Sequence, residues 1–239
     1  MALPFFYIEN LEQKIIVLDE DTSKHMIGVL RMQKGANVLL TDGKGTKATA
    51  SIIDDNRKRC SVQIIERDQE EQAQSKITIA ISIIKNASRF EWFLEKATEI
   101  GVTEIIPLLC ERTEKEKFRY DRMKGILVSA TLQSQQTWLP VLHEPIPFEK
   151  IIELASQQQK FIAHCVPDKK TQLSSVIRQL PTSKQQLSTI LLIGPEGDFT
   201  PAEIKDALTA GFLPVALGNT RLRTETAGIV AATLLCNGF

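Results

Sequence analysis

No stretch of this 239-residue chain stays apolar for the roughly 18 residues that a bilayer-spanning helix needs, which excludes integral helical membrane proteins. The opening residues MALPFFYIENLEQK carry an apolar cluster with no basic flank ahead of it, so they do not read as a secretory signal. Cysteine is sparse. Cys60, Cys110, Cys165 and Cys236 lie far apart, without the paired spacing of a metal knuckle or a redox pair, and buried, reduced thiols are expected. Neither a GxGxxG dinucleotide loop nor a GxxxxGKS/T phosphate loop occurs, which argues against nicotinamide and ATP chemistry. An excess of one charge is also missing. Basic and acidic residues balance at 29 each, which excludes a uniformly basic nucleic-acid coat and leaves room for a local basic face. A cytoplasmic setting with no membrane partner is expected.

What is present is the composition of an ordinary globular protein, 43% hydrophobic and 24% charged. From Phe5 to Ile65 short, often alternating apolar runs are separated by turn-forming groups such as Asp42-Gly43-Lys44-Gly45 and Asp54-Asp55-Asn56, the pattern of a small β-barrel. Glu66 to Ser75 (ERDQEEQAQS) has no apolar face and reads as an exposed connection, with a domain boundary near Gln72. The period then changes. Ile77, Ile79, Ile81 and Ile83 alternate as a strand, whereas Phe90, Phe93, Leu94, Ala97 and Ile100 share one helical face that ends at Gly101. Strands at 105–109, 161–164 and 189–193 and a helix over 121–136 continue the alternation, so residues 73–239 are expected to form an α/β domain with a largely parallel sheet.

Two stretches stand out for chemistry. GPEGDF (Gly194 to Phe199) follows a buried strand and precedes Thr200-Pro201-Ala202-Glu203, which has the cap, first-turn proline and glutamate of a capping box, with Phe199 and Ile204 placed as a hydrophobic staple. It is either a plain strand-to-helix turn or a ligand loop that presents main-chain amides. ALGNTRLRTETAG (Ala216 to Gly228) sets Arg221, Arg223 and Glu225 ahead of an all-apolar segment, Ala227 to Leu235, which must be buried on every side. Those charges are either a solvated loop with Thr224 or Thr226 as a cap, or a site in which they have partners.

Four ordered segments carry a family resemblance: HMIGVLR (His25 to Arg31), RFEWFLEKATEIGVTEIIPL (Arg89 to Leu108), LLIGPEGDF (Leu191 to Phe199) and LGNTRLRTETA (Leu217 to Ala227). Together they resemble the SPOUT class of RNA methyltransferases. Within that class they are similar to the family that methylates N3 of a uridine in small-subunit (16S) ribosomal RNA, over nearly the whole chain. The resemblance implies a PUA-like RNA-binding β-barrel over 1–72. It also implies a SPOUT methyltransferase domain over 73–239 with a C-terminal trefoil knot, a homodimeric active unit, and S-adenosylmethionine (SAM) as methyl donor. The implied partner is the small-subunit ribosomal RNA, either naked or in the assembled subunit. Carried onto this chain, the cofactor positions are Ile193, Gly194, Pro195, Glu196, Gly197, Leu217, Gly218, Leu222, Arg223 and Thr226. The chain departs from the family pattern at Asp198, where a second glycine is common, at Ala36, and at Leu132, where a glutamate is common.

For the chemistry such a family implies, uracil N3 has to lose a proton as it attacks the methyl group. Glu225 is the candidate base and Arg223 the candidate for stabilising charge on the uracil oxygens. The alternatives are that Glu225 only accepts main-chain hydrogen bonds and that Arg223 only positions a base or a phosphate. Arg31, Lys85, Arg89, Lys96 and Arg112 are the candidate RNA contacts, with Lys115, Lys117, Arg119 and Arg122 near them. The interleaved Glu114, Glu116 and Asp121 leave a solvated surface as the alternative, and Lys96 with Glu99 can be a simple helix-surface pair. Phe6, Tyr7 or Trp92 offer a stacking face for an unstacked base, or belong to the core. A non-catalytic RNA-binding dimer, or methylation at another RNA position, remains open on the residues alone.

Overall fold

The alternating runs of the first 70 residues pair as a sheet. The computed structural model describes residues 3–114, 117–166, 170–179 and 188–237. It divides into two units, Met1–Gln72 with Thr131–Leu139, and Ala73–Ala130 with Pro140–Phe239.

In the first unit the elements are β1 (Phe5–Tyr7), β2 (Ile15–Val17), α1 (Glu20–Ser23), a π-helical turn (Lys24–Val29), β3 (Asn37–Thr41), β4 (Thr46–Asp54) and β5 (Ser61–Gln69). The strand order is β1-β3-β4-β5-β2, antiparallel except for the parallel β1–β3 pair. The expected barrel is therefore an open, half-barrel sheet with β1 and β2 as its edges. Its core holds Met26, Val38, Leu40, Ala48, Ala50, Ile52, Cys60 and Val62.

Two features of this unit go beyond what the sequence patterning marks. HMIGVLR lies mostly in the π-helical turn, capped at α1 by Asp19, whose side chain accepts from the Thr22 amide. Of its apolar residues only Met26 is fully buried, while Val29 and Leu30 are exposed, so no helical stripe marks it. Glu66 to Gln69 belong to β5 and not to a connection. They pair with Thr46 to Thr49 beyond a register shift, and main-chain hydrogen bonds hold this ladder although both faces are polar. Residues 131–139 complete the unit: the Gly45 and Leu139 amides donate to the Thr137 and Gly43 carbonyls at 2.9 Å each. The Thr137 hydroxyl donates to the Glu70 carboxylate at 2.6 Å.

The second unit runs β6 (Lys76–Ser82), α2 (Ala87–Ile100), β7 (Glu104–Leu109), α3 (Tyr120–Gln133), β8 (Val141–Leu142), β9 (Ile146–Pro147), α4 (Phe148–Leu154) and β10 (Gln159–Ala163). It continues with β11 (Thr171–Gln172), α5 (Leu173–Arg178), β12 (Ser188–Ile193), α6 (Pro201–Thr209), β13 (Leu213–Ala216) and α7 (Thr224–Asn237). The strand order is β11-β13-β10-β12-β6-β7-β8, with β9 also on β7, and every pairing is parallel. α2 buries Phe90, Phe93, Leu94 and Ala97 and stops at Gly101, whose φ of 101° closes the helix in the left-handed region. α3 ends three residues before the expected Gln136. Gln135 takes φ 57°, and the amides of Gln135 and Gln136 return to the carbonyls of Leu132 and Thr131. That is a Schellman ending built without glycine, which hid it from sequence reading.

α6 carries the full capping box: the Thr200 hydroxyl accepts from the Glu203 amide, and the Glu203 carboxylate accepts from the Thr200 amide. Phe199 and Ile204 are buried beside it. α7 packs on α2, β6, α5 and β12. Its contact with α2 is tightest at Gly228, where an added Cβ would lie 2.5 Å from a Phe93 ring carbon and 3.0 Å from Ile81 Cδ1. Gly228→Ala is expected to destabilise the protein by about 1–3 kcal/mol through overpacking. A lower urea midpoint with an unchanged m-value is the expected readout, and an unchanged midpoint would show that the two helices are not held this closely.

Candidate active site

In a parallel α/β sheet, ligands bind outside the carboxyl ends of the strands. Here β10, β12 and β13 end at Ala163, Ile193 and Ala216, and the loops that follow them enclose two adjoining cavities of about 460 Å³ and 360 Å³. The larger is lined by Ile193, Gly194, Pro195, Glu196 and Asp198 on one side and by Arg89 and Arg221 to Thr224 on the other. The smaller is lined by His164, Lys170 and the run Val215 to Leu222. Ala163, Cys165, Arg221, Leu222 and Ala227 belong to both walls. Small and apolar residues thus share the lining with charged groups.

Most sequence-derived cofactor positions meet here: Ile193, Gly194, Pro195, Glu196, Leu222 and Arg223 line the larger cavity, and Leu217, Gly218 and again Leu222 line the smaller. Gly197 and Thr226 line neither. The Gly197 carbonyl instead accepts from Arg112 Nη1 at 2.6 Å. Glu225 also lies outside the lining, in the first turn of α7, with only 6% of its surface exposed. Its Oε1 stands 3.7 Å from Arg89 Nε, and Oε2 has no hydrogen-bond partner. Arg89 Nη1 reaches Glu196 Oε1 at 3.3 Å. Thr224 Oγ1 donates to the Gly194 carbonyl at 3.1 Å, tying the start of α7 to the GPEG loop.

Several of the cations expected on an RNA face pair with carboxylates of the chain. Lys85 pairs with Glu114 at 2.6 Å, Lys96 with Glu95 and Glu99 at 2.7 and 2.9 Å, and Arg122 with Glu91 at 2.5 Å. Arg89 stands in the cavity wall. Lys117 and Arg119 are exposed, Lys115 lies outside the described residues, and Arg31 occupies an exposed turn of the first unit at φ 54°. Among the candidate stacking aromatics, Phe6 is core, edge-on to His25, Tyr7 is half-buried and Trp92 is exposed.

Asp198, Cys165 and Lys170 were not identified from the sequence as site residues. Asp198 adopts φ 65°, the region that the family's glycine would occupy freely. Its Oδ2 accepts from the Cys165 amide at 2.8 Å and its Oδ1 from the Phe199 amide at 2.9 Å. One carboxylate thereby joins the loop after β10 to the loop after β12. The same αL conformation with a short acceptor side chain is the signal a sequence reader could have used. Cys165 is exposed in the shared wall, which corrects the expectation of buried thiols at that position. Cys60 and Cys110 are buried and Cys236 is half-buried: burial pushes the Cys60 and Cys236 thiols up to about 11, and burial with the Glu203 charge pushes Cys110 up to about 12. Among the described residues no group of His, Cys, Asp and Glu is placed to hold a metal ion.

Comparison with known proteins bears on this cleft. Residues 70–236 match the RNA methyltransferase domain family, and residues 18–65 match the RNA methyltransferase PUA domain. The ribosomal RNA small subunit methyltransferase E of Synechocystis is 32% identical over 228 residues, 93% of this chain and 73% of the relative. This chain belongs to that methyltransferase family. The fold agrees: a probable rRNA-methyltransferase of Porphyromonas gingivalis superposes with a TM-score of 0.88 at 38% identity, covering 98% of this chain and 97% of the other. The family member from Neisseria gonorrhoeae, solved with SAM bound, gives 0.85 at 28% identity over 98% and 97% of the two chains.

In this family member the Asp198 bridge is expected to contribute to stability. Asp198→Ala removes both acceptors and keeps the unfavourable φ, at a cost of about 2–3 kcal/mol. Asp198→Gly loses the same bonds but relieves the backbone, and should be about 1 kcal/mol less damaging. Denaturant midpoints of the two variants check the order, and equal midpoints would remove the backbone part of the explanation.

Proposed function

We propose that this protein, a SAM-dependent methyltransferase of small-subunit ribosomal RNA, places the methyl group on N3 of a specific uridine. The observation that carries the reading is the two-lobed cleft at the carboxyl ends of β10, β12 and β13, with a buried carboxylate oxygen beside it that lacks a partner. Its small and apolar lining residues suit a flat adenosine, and the charged lining residues Arg89, Glu196, Arg221 and Arg223 suit the zwitterionic tail of SAM and an anionic RNA. Ile193 to Glu196, Leu217, Gly218, Leu222 and Arg223 are assigned to the cofactor, with Gly197 and Thr226 shaping the loops that hold it.

SAM, when bound, supplies a methyl group on a positively charged sulfur. Glu225, in the turn that directly follows the lining residues Arg223 and Thr224, is read as the base for uracil N3, and Arg223 as the group that offsets the negative charge developing on the uracil oxygens. N3 bonds to the methyl carbon as the carbon–sulfur bond breaks, and the sulfur keeps the electron pair and becomes a neutral thioether. The cleft walls fix attacking nitrogen and methyl in line and exclude competing water. The target base has to leave its stack to present N3.

Family likeness carries the rest of the reading: a homodimer, a trefoil knot in the C-terminal unit, a cytoplasmic setting, and RNA or the assembled small subunit as partner. The half-buried Ile229, Val230, Leu234 and Leu235 of α7 are apolar surface that a second copy would cover. No helix among the described residues is long and apolar enough to cross a membrane.

SAM at about 100 times its dissociation constant should stabilise the protein by roughly 2.7 kcal/mol, seen as a rise in melting temperature. No shift at saturating SAM contradicts the reading. Methylated N3 blocks the Watson–Crick edge, so cells lacking the gene should lose one reverse-transcription stop in the small-subunit RNA. Persistence of every stop contradicts the assigned atom. Glu225→Gln should lower kcat roughly a hundredfold with SAM binding retained, and full turnover in that variant would remove Glu225 as the base.

A further inference from the structure

Arg89, expected on the RNA face from its charge and position, is a half-exposed cation that two carboxylates engage at once. It sits in the first turn of α2, lines the larger cavity, and reaches Glu196 on the loop after β12 and Glu225 on α7. Lys85, Lys96 and Arg122 pair with carboxylates whose side chains are 18–58% exposed, whereas the Glu225 side chain is only 8% exposed. Exposed pairs of the first kind contribute little. Burying a carboxylate is costly unless a cation accompanies it. The charged group shown against Glu225 is Arg89 from α2, which also reaches Glu196 of the GPEG loop, and Arg221 and Arg223 lie in the loop just before Glu225 in the chain. β12 has no charged residue, β6 has only Lys76 at its opposite end, and α5 has only Arg178 in its last turn.

We propose that Arg89 is a positioning residue for methyl transfer: it holds the Glu225 carboxylate by Oε1, which leaves Oε2 without a partner of its own, and it holds Glu196 at the cavity edge. This rests on the methyltransferase reading given above. The guanidinium is suited to the task because its Nε and Nη1 address two carboxylates at once from a fixed plane. The closeness of α2 and α7 over Gly228 brings the two residues within reach. An RNA phosphate contact would instead leave the arginine facing solvent, free of carboxylates.

Steady-state kinetics of the full-length protein with small-subunit RNA and SAM tests this, using Arg89→Met, Arg89→Lys, Glu225→Gln and the double variant Arg89→Met/Glu225→Gln. The expected result is a kcat about tenfold or more lower in Arg89→Met with KM for RNA unchanged. Arg89→Lys should recover part of the loss, since an ammonium keeps the charge but not the two-pronged geometry. In the Glu225→Gln background the Arg89→Met change should have no further effect, because its target is gone. A raised KM for RNA with kcat unchanged would overturn the proposal and make Arg89 an RNA contact. An equal fold-loss in the Glu225→Gln background would overturn it as well, showing that Arg89 acts independently of Glu225. A SAM-induced melting shift in each variant confirms a folded pocket. Absence of methyl transfer by the wild-type protein would sink the function itself and is read separately.

Discussion

The close packing of α7 against α2 at Gly228 is the constraint on which the candidate site depends. A side chain at that position would collide with Phe93 and Ile81. With hydrogen in its place, the first turns of two helices distant in sequence lie side by side, and Arg89 meets Glu225 across them. The hydroxyl of Thr224 then anchors the same turn of α7 to the Gly194 carbonyl. Three elements, α2, α7 and the loop after β12, are thereby fixed together. The charge pair is a consequence of helix packing, since an ion pair of this kind could not by itself draw two helices out of water.

The loops around the cleft are restrained at their far ends too. Phe199 packs beneath the GPEG loop against Phe148, with ring centroids 5.4 Å apart, and the capping box of α6 fixes the following residues. Glu203, 5% exposed, extends that box outward by accepting from the Glu111 amide at 2.9 Å. Asp198 spans from this loop to the Cys165 amide. Main-chain groups that line the cleft are therefore held by buried rings, a helix cap and a carboxylate, and need little reordering when a ligand arrives. Preorganised dipoles of this sort are the usual source of catalytic advantage.

Much of this was legible in the sequence where one local rule sufficed. The change of period at Ile77 to Ile100, the capping box at Thr200 and the apolar α7 all read directly into elements. The cleft was legible as two separate turns, each open to a plain structural meaning, until parallel strand ends brought them together. What could not be read depends on partners distant in the chain. Lys85 and Arg122 each pair with a carboxylate that the sequence does not reveal, because charge along a chain does not show which residue lies opposite. The Asp198 bridge requires knowing that Cys165 lies 33 positions earlier but one hydrogen bond away. The π-helical turn over HMIGVLR and the polar end of β5 were missed because backbone hydrogen bonds, and no apolar stripe, hold them.

The central claim is that the cleft holds SAM with its methyl group facing uracil N3. Its most direct test is to incubate the purified protein with SAM carrying an isotopically labelled methyl group and with small-subunit RNA, then digest the RNA to nucleosides and identify the labelled product by mass spectrometry. The account predicts label in N3-methyluridine from a single position. Label in any other nucleoside, or none at all from protein that binds SAM, would contradict it.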